Sequence, residues 1–129
     1  MSLSIMIVED EMLLAMDLED ILVDAGHKVV GQASDMKQAL ALAEKSGDMI
    51  DIAIMDVNLA RGPNGVETAA ALRQRWDIPS LFVSGNLDEK TRALASEWDP
   101  VGFIGKPFSE REVLAAVASA PQRAQPGSE

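Results

Sequence analysis

Apolar and polar positions alternate along this chain in a two-part rhythm, a short apolar run followed by a longer stretch of helical period. The sharpest run is Ile52-Ala53-Ile54-Met55-Asp56-Val57-Asn58, too short for a buried helix and ending in a carboxylate. Such a run reads as a strand buried on both faces of a parallel sheet. Comparable runs occupy residues 3–8, 28–33, 80–84 and 102–105. Between the first two, Leu14, Leu18, Ile21, Leu22 and Ala25 share one face of a helix, and Asp17, Asp20 and Asp24 share the opposite, solvated face. Gly26 supplies its stop. Ser34 or Asp35 can cap a helix over about residues 36–45, broken by Ser46-Gly47-Asp48. Turn formers fill residues 58–65, and an alanine-rich helix over 66–75 follows. Asp88 caps a helix running to about Trp98. Ser109 and Glu112 make a capping box for a last helix over about 110–119.

Five strands alternating with five helices imply an α/β fold, a doubly wound five-stranded parallel sheet with helices on both faces and right-handed crossovers. Residues 1–120 are expected to form one domain. The polar, aperiodic residues 121–129 are expected to be a disordered tail or the start of a linker, with no segment left for an effector domain.

Composition narrows the function. At 129 residues the chain is long enough for a real core, and 47% hydrophobic with 25% charged residues is ordinary for a globular domain. No apolar run approaches the roughly 18 residues of a membrane helix, and nothing resembles a secretory signal, so a cytoplasmic location is expected. The chain has no cysteine, which excludes disulfides and thiolate metal sites. The lone His27, between Gly26 and Lys28, reads as a solvated loop residue rather than a ligand or base. A net charge of −10 argues against direct binding to nucleic acid or to an anionic membrane.

The chemistry gathers at strand ends. Glu9 and Asp10 follow the first strand, Asp56 ends the third, Ser84 the fourth and Lys106 the fifth. In a doubly wound sheet these carboxyl ends converge on one edge, where such folds bind their ligands. Three carboxylates brought together need a counter-charge, and a hard divalent ion such as Mg²⁺ is the natural one. A metal and a lysine beside a carboxylate also make a place where a phosphoryl group is accepted. Each piece alone has a plainer reading: helix N-terminal acids, a turn-forming aspartate, a turn, a surface lysine. Their joint occurrence at four strand ends is what those readings explain badly.

In this respect the chain resembles the receiver domains of bacterial two-component response regulators, over about residues 3–119. The resemblance implies the strand order 2-1-3-4-5 and a flavodoxin-like receiver fold. It implies that Glu9 and Asp10 are the acidic metal pair and that Asp56 accepts the phosphoryl group. The Asn58 backbone carbonyl would complete a Mg²⁺ shell. Ser84 would be the switch hydroxyl, Phe103 the switch aromatic, and Lys106 the phosphoryl contact, with Pro107 a candidate cis-proline. The implied partners are a sensor histidine kinase or histidine phosphotransfer protein, and a downstream protein bound through the fourth helix, fifth strand and fifth helix. Phe82-Val83-Ser84-Gly85-Asn86 is also similar to the strand-four motif of the stand-alone FATGUY receivers.

Three departures from the family pattern stand out. Ser84 replaces the commoner threonine, Phe103 the frequent tyrosine, and Trp98-Asp99-Pro100 a small-Gly-Ala segment. The last should alter the fourth helix and the loop after it. Two rival functions fit less well. A Toprim-like phosphoesterase wants a second aspartate where Asn58 stands, and an FMN carrier wants a hydroxyl-rich first loop where Glu9-Asp10-Glu11 would repel phosphate. A receiver working without phosphorylation would not need the full set of phosphotransfer positions. The expected role is a phosphorylation-controlled binding switch rather than a turnover enzyme.

Overall fold

The computed structural model describes residues 2–59 and 64–121. The turn-forming residues 60–63 and the tail beyond Pro121 lie outside that range. Five strands, β1 (Ser4–Val8), β2 (Lys28–Ala33), β3 (Ile52–Asp56), β4 (Ser80–Ser84) and β5 (Gly102–Gly105), pair in parallel in the order β2-β1-β3-β4-β5. Helices α1 (Met12–Asp24), α2 (Met36–Ser46), α3 (Gly65–Trp76), α4 (Glu89–Ser96) and α5 (Glu110–Ala118) follow the strands in turn.

The two faces of the sheet carry separate apolar layers. Met6, Val8, Met55 and Phe82 point toward α2, α3 and α4, packing with Ala39, Ala43, Ala69, Leu72 and Ala95. Ile5, Ile7, Ile54, Leu81 and Val83 point the other way, against Leu18 and Leu22 of α1 and Val113 and Val117 of α5. This is the period-two alternation of a strand with both faces covered. Strands β3 and β4 are buried at every residue, so their sequences read as continuous apolar runs. That enclosure fixes the register: Asp56 pairs with Val83, and Ser84 one residue on pairs with Gly105.

Helix ends follow their capping chemistry. Asp35, not Ser34, caps α2: its Oδ1 accepts the Gln38 N–H at 2.8 Å, and the Ser34 N–H donates to Gln38 Oε1 at 2.8 Å. The predicted break after α2 is a 3-10 turn, Gly47–Met49. Ser109 and Glu112 form the predicted box at α5, and Asn64 with Glu67 forms a second box at α3.

Helix α4 stops at Ser96, two residues short of the expected Trp98. Pro100 disfavours helix in the residue before it, and Asp99 takes a left-handed backbone with φ of 50°. The end is then held from outside. Arg73 of α3 donates from Nε to the Trp98 carbonyl at 3.1 Å and from Nη2 to the Asp99 carbonyl at 2.7 Å. Arg73 Nη1 also reaches Asp77 Oδ1 at 3.0 Å, so one guanidinium ties the carboxyl ends of two helices. Trp98 is half-buried and lines a groove of about 320 Å³ with Val66, Ala70 and Leu94.

His27 is not a solvated loop residue: it is half-buried, and its Nδ1 accepts the N–H of the fully buried Leu3 at 3.0 Å. Burial holds its imidazole below the usual histidine value.

Candidate functional site

The carboxyl ends of β1, β3, β4 and β5 open onto one edge, and each loop there delivers a polar side chain. Strand β1 runs into Glu9, whose backbone N–H donates to the Ala33 carbonyl at the end of β2 at 2.9 Å. Glu9 Oε2 accepts the Glu11 N–H at 3.1 Å, which turns the carboxylate toward the neighbouring strand. Asp56 closes β3, and its Oδ1 accepts the Asn58 N–H at 3.2 Å. Both carboxylates are buried, at 4% and 3% exposure. Asp10 completes a group in which one carboxylate oxygen from each acid lies within 4.8 Å of the others.

Lys106 reaches into this group from the end of β5. Its Nζ stands 3.1 Å from Glu9 Oε1 and 3.5 Å from Asp56 Oδ1. The lysine is aimed by its backbone, whose N–H donates to the Ser84 carbonyl at 3.0 Å, and the Lys106–Pro107 peptide is cis. Ser84, also buried, sits one register step beyond the strand partner of Asp56. Its Oγ accepts the Asn86 N–H at 3.2 Å and keeps its own proton free to donate. Phe103 lies farther back on β5, stacked on its register partner Phe82 with ring centroids 5.6 Å apart.

The electrostatics follow from three acids against one lysine. Burial pushes the Glu9 carboxyl up to about 7; the Asp56 charge adds to this, while the Glu11 amide and Lys106 work against it. Burial also raises Asp56, opposed by Lys106 and the Asn58 amide. Burial alone would lower Lys106, but Glu9 and Asp56 more than offset it and the net shift is upward. The site therefore holds more negative charge than one ammonium balances, in a poorly hydrated place. Such an all-oxygen donor set suits a hard divalent cation.

All the residues singled out in the sequence at the four strand ends meet at this edge. Two contributors were not. Gly65 sits directly behind Asp56: a Cβ there would lie 2.0 Å from the Asp56 carbonyl oxygen, so only glycine lets α3 begin against the end of β3. The Asn64-Gly65 pair followed by Glu67 was the available signal. The second is an apolar patch on the first turns of α1, where Met12, Leu13 and Met16 are 74%, 82% and 51% exposed. The available signal was that the helical period leaves Met12, Leu13 and Met16 off the face shared by Leu14, Leu18, Ile21, Leu22 and Ala25.

A doubly wound sheet with a carboxylate–lysine cluster at its carboxyl edge defines the class, and comparison with known proteins gives the family. Residues 5–118 match the response regulator receiver domain model, and the chain belongs to that family. It is 32% identical over 121 residues to the phyllosphere-induced regulator PhyR of Methylorubrum extorquens, covering 93% of this chain and 44% of that one. Among solved structures it resembles the signal receiver domain of a modulated diguanylate cyclase from Desulfovibrio desulfuricans. That match has a TM-score of 0.85 at 29% identity, over 93% of this chain and 94% of the other. It also resembles the response regulator PhyR from Brucella abortus, with a TM-score of 0.78 at 32% identity, over 93% of this chain and 48% of that one. The chain thus spans about half the length of the PhyR relatives it matches. The protein is a receiver domain of the two-component response regulators, with the strand order expected of it.

Proposed function

We propose that this receiver domain, residues 1–120, takes a phosphoryl group on Asp56 and works as a binding switch rather than a turnover enzyme. The observation that carries the reading is the Lys106 ammonium set between Glu9 and Asp56, with Asp10 beside them. Glu9, Asp10, Asp56 and the Asn58 carbonyl are the residues that would hold Mg²⁺. When bound, the ion supplies positive charge to the phosphoryl oxygens. An Asp56 carboxylate oxygen attacks phosphorus, the new O–P bond forms, and the P–N bond to the donor imidazole breaks, its electron pair leaving with nitrogen. Lys106 then has an anionic oxygen to contact as well as Glu9, and the Ser84 hydroxyl has an acceptor.

The donor fits a sensor histidine kinase or a histidine phosphotransfer protein acting in the cytoplasm. The apolar patch of Met12, Leu13 and Met16 supports a protein donor, since a small phosphodonor has no use for it. It starts three residues beyond Glu9. Drawing Ser84 and Phe103 inward would repopulate the face of α4, β5 and α5 for a downstream protein.

The test is intact-protein mass spectrometry after incubation with acetyl phosphate and Mg²⁺, with and without EDTA. A magnesium-dependent adduct of one phosphoryl group, mapped to Asp56 and absent in Asp56→Asn, is the expected result. Equal labelling of a folded Asp56→Asn protein would remove Asp56 from the chemistry.

A further inference from the structure

Phe103 is held from two sides. Its inner face stacks on Phe82 at an interplanar angle of 18°. On its other side lies Arg92 of α4, whose guanidinium carbon stands 4.5 Å from the ring centroid. In a chain of net charge −10, an arginine has many carboxylates to choose from. Among the described residues none lies within ion-pair distance of Arg92, and the ring is what its guanidinium meets.

The position of Arg92 matters as much as its contact. Its backbone N–H closes the first turn of α4 on the carbonyl of the cap residue Asp88. Asp88 ends the short loop that begins at Ser84, and that loop is tied back by the Asn86 N–H on Ser84 Oγ. The far end of α4 is anchored separately, through Arg73 on the Trp98 and Asp99 carbonyls. Helix α4 is therefore fixed at its carboxyl end. Its amino end is held by the Ser84 loop and by Arg92 on Phe103.

We propose that Arg92 is a positioning residue of the switch. It latches the amino end of α4 onto Phe103 while Asp56 is unmodified, and it lets go when Ser84 engages a phosphoryl group. This rests on the phosphoacceptor reading of Asp56 above. As Ser84 turns toward the new acceptor, the loop to Asp88 loses its tie. The first turn of α4 swings about the Arg73 anchor, and the guanidinium leaves the ring. A contact made in one state and not in the other biases the equilibrium between them by its own strength. For a cation over an exposed ring face that is about a two- to fivefold bias.

The experiment follows acetyl phosphate labelling by intact mass in wild type, Arg92→Ala, Arg92→Lys, Phe103→Leu and the Arg92→Ala/Phe103→Leu double variant. Thermal unfolding checks that each is folded. Arg92→Ala is expected to raise the phosphorylated fraction at equilibrium two- to fivefold, with Arg92→Lys in between and no effect of Arg92→Ala once Phe103 is leucine. In parallel, the Arg92 side-chain protons of wild type should be ring-current shifted in NMR and lose that shift on phosphorylation. Wild-type labelling at Asp56 with an unchanged Arg92→Ala variant would overturn the latch and leave the phosphoacceptor reading intact. An Arg92→Ala effect that persists with leucine at 103 would also overturn it, since the arginine would then act through its charge. A ring-current shift that survives phosphorylation contradicts release. A folded wild type that takes no label on Asp56 from acetyl phosphate or from a phosphohistidine protein fails the phosphoacceptor reading, and the latch falls with it.

Discussion

His27 shows how one side chain can be misread from its neighbours. Gly26 and Lys28 advertise a turn, and the turn exists, with Gly26 at φ of 94°. What the local sequence does not carry is that β1 begins alongside, presenting the Leu3 N–H to the imidazole at 3.0 Å. A ring nitrogen that accepts this bond must be unprotonated, and burial holds the imidazole below the ordinary 6.5. The neutral form is favoured in the folded state. Its contribution to stability is therefore complete above 6.5 and is lost as pH falls through the lower, folded value. His27 is the only histidine, so its ring resonances can be followed without assignment. An NMR titration should give a midpoint below 6.5, and a His27→Ala variant should lose less stability than wild type between pH 7.5 and pH 5. A midpoint at or above 6.5 would mean the Leu3 bond does not persist in solution. The acids and Lys106 of the site were legible because strand ends of a parallel sheet converge by rule. Gly65 and His27 were not, because each answers to backbone brought near only by folding.

At the level of elements, the five strands and five helices are close to their predicted bounds because apolar period and capping residue agree at nearly every junction. The disagreement is α4, and it is informative. Asp88 caps the helix as predicted, its side chain accepting the Thr91 N–H at 2.7 Å. The carboxyl end has no glycine to close it; the Glu97, Trp98 and Asp99 N–H groups turn back onto the Leu94, Ala95 and Ser96 carbonyls, and the Trp98 and Asp99 carbonyls just past them need a partner. Arg73 supplies one from a different helix, 25 residues earlier. A charged donor to the carbonyls just past a helix end contributes about 1.5–3 kcal/mol. Arg73 is only partly exposed, so solvent does not replace it fully. Arg73→Ala is expected to lower unfolding free energy by about 1–2 kcal/mol in urea titration. Hydrogen exchange should quicken at the carboxyl end of α4 and be unchanged in β1 and β3. Uniform acceleration through the sheet would instead mean that Arg73 supports the whole fold rather than the end of one helix.

On the scale of the whole molecule, the site and its surroundings differ in character. The carboxylates and Lys106 are enclosed and preorganised by backbone amides, whereas the ground beside them on α1 is open and apolar. An acidic protein of this size has no folding reason to expose Leu13 at 82% beside Met12 and Met16, since each exposed apolar side chain forgoes burial energy. A contiguous exposed patch bordering a site is better explained by what it meets. The same helix carries Asp17, Asp20 and Asp24 on exposed positions, so the surface that meets it should combine apolar residues with lysines or arginines. If that surface belongs to the phosphodonor protein, the two routes to Asp56 separate. Small phosphodonors need only the site, while a protein donor needs the patch as well. The triple variant Met12→Ser/Leu13→Ser/Met16→Ser should label with acetyl phosphate at the wild-type rate. It should receive phosphoryl groups from a phosphohistidine protein at least about tenfold more slowly, the loss of about 1.4 kcal/mol of docking energy. All three positions are exposed, so the substitutions leave the core intact, and circular dichroism at matched concentration checks it. Equal slowing with both donors would assign the patch to the geometry of the site, and unchanged transfer from the protein donor would take α1 out of recognition altogether.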